Sequence, residues 1–159
     1  MRFIDLTSEA IEQALQDWAP ASSHAGILAL VPEAEKDRIP LLQAAAKRHA
    51  IALVGAIFPA LLRGDAFVTS GAWLLCCDNM PPYFLLPDIN AGGGTAADKV
   101  VTAVRRELGN SPVPVEKATL FMIFDSMVPN IASMVDGIYL ALANRVEYAG
   151  VNAGSETFQ

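Results

Sequence analysis

Charge is scarce in this sequence. Only 18% of its 159 residues are charged, and the balance is acidic, a formal −6. Nucleic-acid backbones and anionic membranes select clustered Lys and Arg. Here the densest basic pair is Arg105-Arg106, which reads as a solvated helix face. Neither partner is expected. Cysteine is limited to the adjacent pair Cys76-Cys77. Neighbours on a strand point to opposite faces, so a disulfide between them would need a strained turn. Structural zinc wants four ligands, and two cysteines with two distant histidines lack its spacing. Both are expected to be small buried apolar residues in a reduced compartment. Long apolar runs are missing too, since Ile51–Leu62 is interrupted by Gly55 and Pro59 and stopped by Arg63. A membrane span needs roughly 18 such residues. Met1-Arg-Phe-Ile-Asp-Leu6 carries charge where a secretory signal has its apolar core, so a cytoplasmic location is expected.

Catalytic sets are equally thin. His24 and His49 stand beside no serine or cysteine in a nucleophile context, and no Gly-x-Ser-x-Gly elbow occurs. Glu33 and Glu35 read as solvated loop carboxylates. Cys76 and Asp125 are the groups an enzyme would have to use, and nothing around them asks for one. The stretch Asn90-Ala-Gly-Gly-Gly-Thr95 precedes a helix, whose N-terminus attracts anions. It lacks the Gly-Lys-Ser/Thr ending and any lysine before Lys99, so it is read as a flexible approach and not a phosphate loop.

What the chain does have is a pattern stated twice. The first copy is an apolar strand at Gly26–Val31, a helix around Asp37–His49 and a strand Ile51–Gly55. The second is Ala118–Phe124, a helix around Ile131–Asn144 and Val146–Gly150. The two glycines lie 95 residues apart, far beyond the ~20–50 residue period of a solenoid. The expected fold is α/β, a single domain over 1–159 whose half-repeats cover 24–110 and 115–159. The strands are nearly continuous apolar runs, as strands covered on both faces require. All four are expected in one mixed sheet, and separate sheets would end the duplication argument. Gly150 is followed by only nine residues, so the second half reads as incomplete. A fragment, or a protein completed by another chain, is expected.

Around these copies the periodicity predicts an opening amphipathic helix capped at Thr7 or Ser8 and ended by Pro20. Asp37 is the expected cap of the next helix, with Pro40 in its first turn. Strands are predicted at Ala66–Ser70, Trp73–Cys77 and Tyr83–Leu86. A third helix starts at the capping-box pattern Thr95-Ala-Ala-Asp98 and stops at Gly109-Asn110, and Ser111–Pro114 links it to the second copy.

In open α/β sheets ligands bind beyond the carboxyl ends of parallel strands. Three segments are expected there: Gly55–Phe58, Asp125–Val128 with Ser126, and Gly150–Ser155. The last is the leading candidate. Gly150 and Gly154 permit close approach, and Asn152 and Ser155 offer an amide and a hydroxyl to a carboxylate or carbonyl.

These paired strand-helix-strand units and their terminal glycine segments resemble the N-terminal region of FIST-domain proteins, sensory modules named from F-box and intracellular signal transduction proteins. The likeness runs from Gly26 to the C-terminus. Ala149-Gly-Val-Asn-Ala-Gly-Ser155 fits the family's second loop, whereas Val54-Gly-Ala-Ile-Phe58 lacks the small polar residue and second glycine of the first. The resemblance implies a non-enzymatic module sensing a small ligand, such as an amino acid or small organic acid. It also implies a signalling partner, or the rest of the module. A structural domain lending its sheet to a larger assembly is the alternative, and a homo-oligomer is compatible with either. Some members of the family carry haem. Here an axial ligand would have to be His24 or His49, and both are better explained as strand-end and helix-end residues, so no cofactor is expected.

Overall fold

A computed structural model describes residues 1–19, 22–110 and 118–154. The expected helix stop at Pro20, the link Ser111–Pro114 and the candidate Ser155 lie outside the described residues. The chain is α/β and forms two compact units. One comprises Met1–Met80 with the described residues from Ala153 on; the other is Pro81–Asn152.

The first unit opens with a short strand, β1 (Arg2–Ile4), which the sequence reading missed. Three residues are too few for any periodicity to register. Helix α1 (Ser8–Trp18) is capped by Thr7, whose hydroxyl accepts from the Ala10 N–H at 3.2 Å. Strand β2 (Gly26–Pro32) leads through a 3-10 turn (Glu33–Arg38) into α2 (Ile39–Arg48) and then β3 (Ala52–Phe58). Asp37 is therefore not the cap. It sits inside the 3-10 turn, and α2 begins without a side-chain cap. After β3 comes a hairpin, β4 (Leu61–Arg63) and β5 (Ala66–Val68), whose second strand falls within the predicted Ala66–Ser70. Its two-residue turn puts Gly64 at φ +65°, which a glycine adopts without steric penalty.

With β6 (Ala72–Cys77) the sheet order is β1-β6-β2-β3. β2 and β3 are parallel, and β6 is antiparallel to both β2 and β1. β3 is an edge. Residues of one parity on β2 (Ile27, Ala29 and Val31) pack with Ile11 and Leu15 of α1 and Leu42 of α2 in one core. On the other face Leu28 and Leu30 are only half-buried and Leu75 is exposed.

In the second unit the predicted strand Tyr83–Leu86 is absent. Pro81, Pro82 and Pro87 bracket four residues too tightly for a ladder, and Phe84 and Leu86 pack on the core as coil. Helix α3 (Ala96–Asn110) begins with the expected box: the Asp98 N–H donates to Thr95 Oγ1 at 3.1 Å, and the Thr95 N–H to Asp98 Oδ2 at 3.2 Å. Strand β7 (Thr119–Asp125), α4 (Ile131–Leu142), a 3-10 turn (Ala143–Arg145) and β8 (Glu147–Ala153) follow. The Glu147 N–H donates to Ala118 O at 2.9 Å, and Gly150 stands over Met122 O. The pairing advances in the same direction on both strands, so they run parallel. Val101, Val104, Met134 and Ile138 form the core between α3, α4 and this strand pair.

β7 and β8 form their own two-stranded sheet. The expectation of one sheet through all four repeat strands is thus corrected, and the duplication argument that rested on a shared sheet ends with it. Hydrogen bonding joins β2 to β6 on one side, and β3 and β7 are not neighbours in any ladder of the described residues. What does recur is the internal geometry of each β-α-β copy. All four strands have seven residues, and Gly55 and Gly150 are the fourth of theirs. A Cβ on Gly55 would collide with the carbonyl oxygen of Ala29, the fourth residue of β2. A Cβ on Gly150 would lie 2.6 Å from that of Met122, the fourth residue of β7.

Candidate functional site

Each strand glycine lies in mid-strand, and this relocates the sequence-nominated residues. Gly55–Phe58 is not a loop: Gly55 is central in β3 and Phe58 is its last residue. Gly150 and Asn152 belong to β8, with Asn152 exposed near its carboxyl end. Both segments were read as loops because glycine usually punctuates strands. Here each glycine is retained because the neighbouring carbonyl leaves no room for a side chain. Gly154 follows β8, and its N–H donates to Ile57 O at 3.0 Å, bringing two nominated segments together.

Asp125 ends β7 and Ser126 lies in the turn after it. With Asn152 they share the carboxyl end of the β7–β8 pair. Asp125, however, is engaged with its own turn: Oδ1 accepts from the Met127 N–H at 2.9 Å, and its carbonyl accepts from Val128 at 3.0 Å. That is an Asx-turn, which explains the residue locally.

The N-terminus of α3 is likewise committed. Asp98 places a carboxylate there, held below the ordinary aspartate range by hydrogen bonds from the Thr95 hydroxyl and backbone. The Lys99 ammonium donates to Ile89 O at 2.8 Å and to Ala91 O, so it organises the glycine-rich approach from within. An anion would have to displace both.

The Cys76 thiol is pushed above its ordinary value by burial, the opposite of nucleophile activation. Both cysteines are free and half-buried, and Cys76 packs on the first core. Among the described residues no group of three His, Cys, Asp or Glu is placed to hold a metal. His49 Nε2 lies 2.8 Å from Glu12 Oε2, and Arg48 pairs with the other Glu12 oxygen. Glu35, read as solvated, is buried: it pairs with Arg38 at 3.1 Å and receives the Gly71 N–H at 3.4 Å. A helical spacing of three to Arg38, on a segment taken for loop, hid that role.

One concave feature of the described residues lies in the first unit, between α2 and the edge strand β3. It is a groove of about 420 Å³, within the range of small-ligand sites. Ile39, Leu42 and Ala46 form the helix side, and Leu53, Ala56 and Ile57 the strand side. Gln43 and Lys47 stand on the helix side as its polar groups. Both are exposed, four apart on one face of α2, and none of the described ion pairs involves Lys47. Sequence reasoning missed both because they look like ordinary solvated helix positions. Their signal was the polar pair bordering the Ile39, Leu42, Ala46 stripe, beside a strand with no charged residue.

Compared with protein-family models, curated proteins and solved structures, the chain matches none. No helix among the described residues is long and apolar enough to cross a membrane.

Proposed function

We propose that this chain is a non-enzymatic, cytoplasmic module that senses a small ligand for a bacterial signal-transduction system, in the manner of the FIST-like modules it resembles. The observation that carries the reading is the α2–β3 groove. Its walls are apolar, its lining includes one amide, and Lys47 is its single ionisable residue. Such a site binds and orients; it has no acid–base pair to drive a reaction. An ammonium beside an aliphatic surface suits an amino acid or small organic acid, whose carboxylate pairs with Lys47 while its carbon skeleton covers Leu53 and Ile57. The signalling partner would read the ligand-bound state of this unit.

A thermal-shift screen of amino acids and short organic acids tests this. A ligand at about 100 times its dissociation constant adds roughly 2.7 kcal/mol of stability. The shift should vanish in Lys47→Glu, a surface change that leaves the fold intact. No shift with any compound, or one that persists undiminished in Lys47→Glu, would sink the reading. A second reading, a structural domain lending a sheet to an assembly, is favoured by one observation. Phe121 of β7 and Val151 of β8 are 50% and 41% exposed, on the strand face away from Leu120 and Met122 of the core. Sedimentation showing mass that rises with concentration would support that alternative.

A further inference from the structure

We infer that the occupant of the α2–β3 groove is an acidic peptide segment in extended conformation, added as a further strand to the edge of β3. This goes beyond the reading above by replacing its small acid with a peptide, and rests on it only in that the groove is the binding site.

Backbone direction is the first argument. Along a strand the N–H and C=O of alternate residues point to opposite sides. The Ala52 N–H donates towards the β2 side, to Ala25 O at 3.1 Å, whereas Ile57 O accepts from Gly154, on the side away from β2. Leu53, Gly55 and Ile57 therefore direct their backbone groups outward. Gly154 already forms one rung on that edge, so the edge accepts a further backbone in practice. Leu53 and Gly55 offer the next two positions.

Length is the second argument. From Leu53 to Ile57 the edge runs about 13 Å, at ~3.3 Å per residue. A free amino acid satisfies one outward residue and leaves the next unpaired; a peptide of four or five residues satisfies both. β3 has no charge, proline or bulge of the kind that normally blunts an edge.

Charge is the third. Lys47 stands on the groove's helix wall with no described ion pair, so side chains leaving the peptide towards α2 meet an ammonium and the Gln43 amide. Alternate side chains leave on the opposite face of the sheet, beside the half-buried Val54 and Ala56. Main-chain bonds then supply affinity and the Lys47 contact supplies selection, the division of labour in strand-addition sites. The chain itself is acidic, so an acidic segment gains nothing from its surface at large, and the preference has to be local to Lys47.

The test uses the whole chain and a fluorescein-labelled peptide alternating valine and glutamate over about eight residues, enough to span the edge. Its counterpart alternates valine and lysine. Anisotropy should show the acidic peptide binding at least about tenfold tighter, with Lys47→Glu reversing the order. N-methylating the peptide at its valines or at its glutamates removes the donors of one register, and one of the two versions should lose binding. If both N-methylated versions bind as well as the parent, strand addition is wrong. If the acidic peptide fails to bind while free glutamate or succinate raises the melting temperature in a Lys47-dependent way, the groove is a small-acid site and only the present inference falls. If neither peptide nor free acid acts, the groove reading falls with it.

Discussion

Glu12 shows what a single residue can do that its neighbours in sequence do not announce. It lies on α1, yet its carboxylate receives Arg48 and His49 from the end of α2, tying the two helices that cover the first sheet. The hydrogen bond from Arg48, then that from His49, holds its pKa below the ordinary 4.5. Folding thus weakens proton binding at this carboxyl. The stabilisation it gives is complete above the unfolded-state value near 4.5 and is lost as pH falls through the lower folded-state value. We expect Glu12→Gln to lower the melting temperature at pH 7, and the gap from the parent chain to close progressively in the acid range. A gap that stays constant down to the acid limit would show that the carboxylate's charge is not what ties the helices. His49 was legible as a helix-end residue from Lys47 and Arg48 beside it. Its partner, 37 residues away, was not, because a long-range ion pair leaves no local pattern. Glu35 failed for the same reason, its backbone partner being Gly71.

At the level of elements, the third helix, read from repeated local chemistry, held, while the strand ends read from single glycines did not. The third helix was visible from Thr95 and Asp98 at its start and Val101, Val104 and Leu108 along its face, and it occupies Ala96–Asn110. Strands β3 and β8 were cut short at their glycines, because a lone glycine carries no information about a carbonyl on the next strand. The helix glycines make the same distinction measurable. Gly109 in α3 is exposed and has open space where a Cβ would stand. Gly109→Ala should therefore stabilise by about 0.5–1 kcal/mol, the backbone entropy that glycine gives up in a helix. Gly137 in α4 faces Ala97 of α3, where a Cβ would fall 2.7 Å from the alanine methyl. The same substitution there gains the propensity but forces the helices apart, at about 1–3 kcal/mol for an overpacked contact. Urea denaturation should place the two variants on opposite sides of the parent. If Gly137→Ala is as stable as Gly109→Ala, the α3–α4 approach at Gly137 is looser than the structure has it.

Across the whole molecule, the question is whether the two β-α-β copies are one design used twice. Sheet membership argues against a single scaffold, since β2 and β3 belong to a four-stranded sheet and β7 and β8 to a pair. The register argues for repetition of the unit itself. In each copy a seven-residue strand, a helix and a second seven-residue strand bring a glycine at the fourth position over the carbonyl of the fourth residue opposite. A chance glycine has no reason to take the same rung in both. The shared constraint is steric and can be tested in each copy separately. Gly55→Val would drive a branched side chain into Ala29 O, and Gly150→Val into Met122 O. Neither carbonyl can retreat without breaking the parallel pairing it belongs to. Each substitution should cost at least about 1–3 kcal/mol, the range for overpacked sites, because backbone here has to move and not a flexible side chain. Gly93→Val, in open space on the approach to α3, is the control and should fall within about 0.5 kcal/mol of the parent. Parallel losses at Gly55 and Gly150 with a silent control would mean that both copies are held by the same close strand contact. If Gly150→Val matches the control while Gly55→Val is damaged, only the first copy uses the contact, and the likeness between the two is one of order along the chain alone.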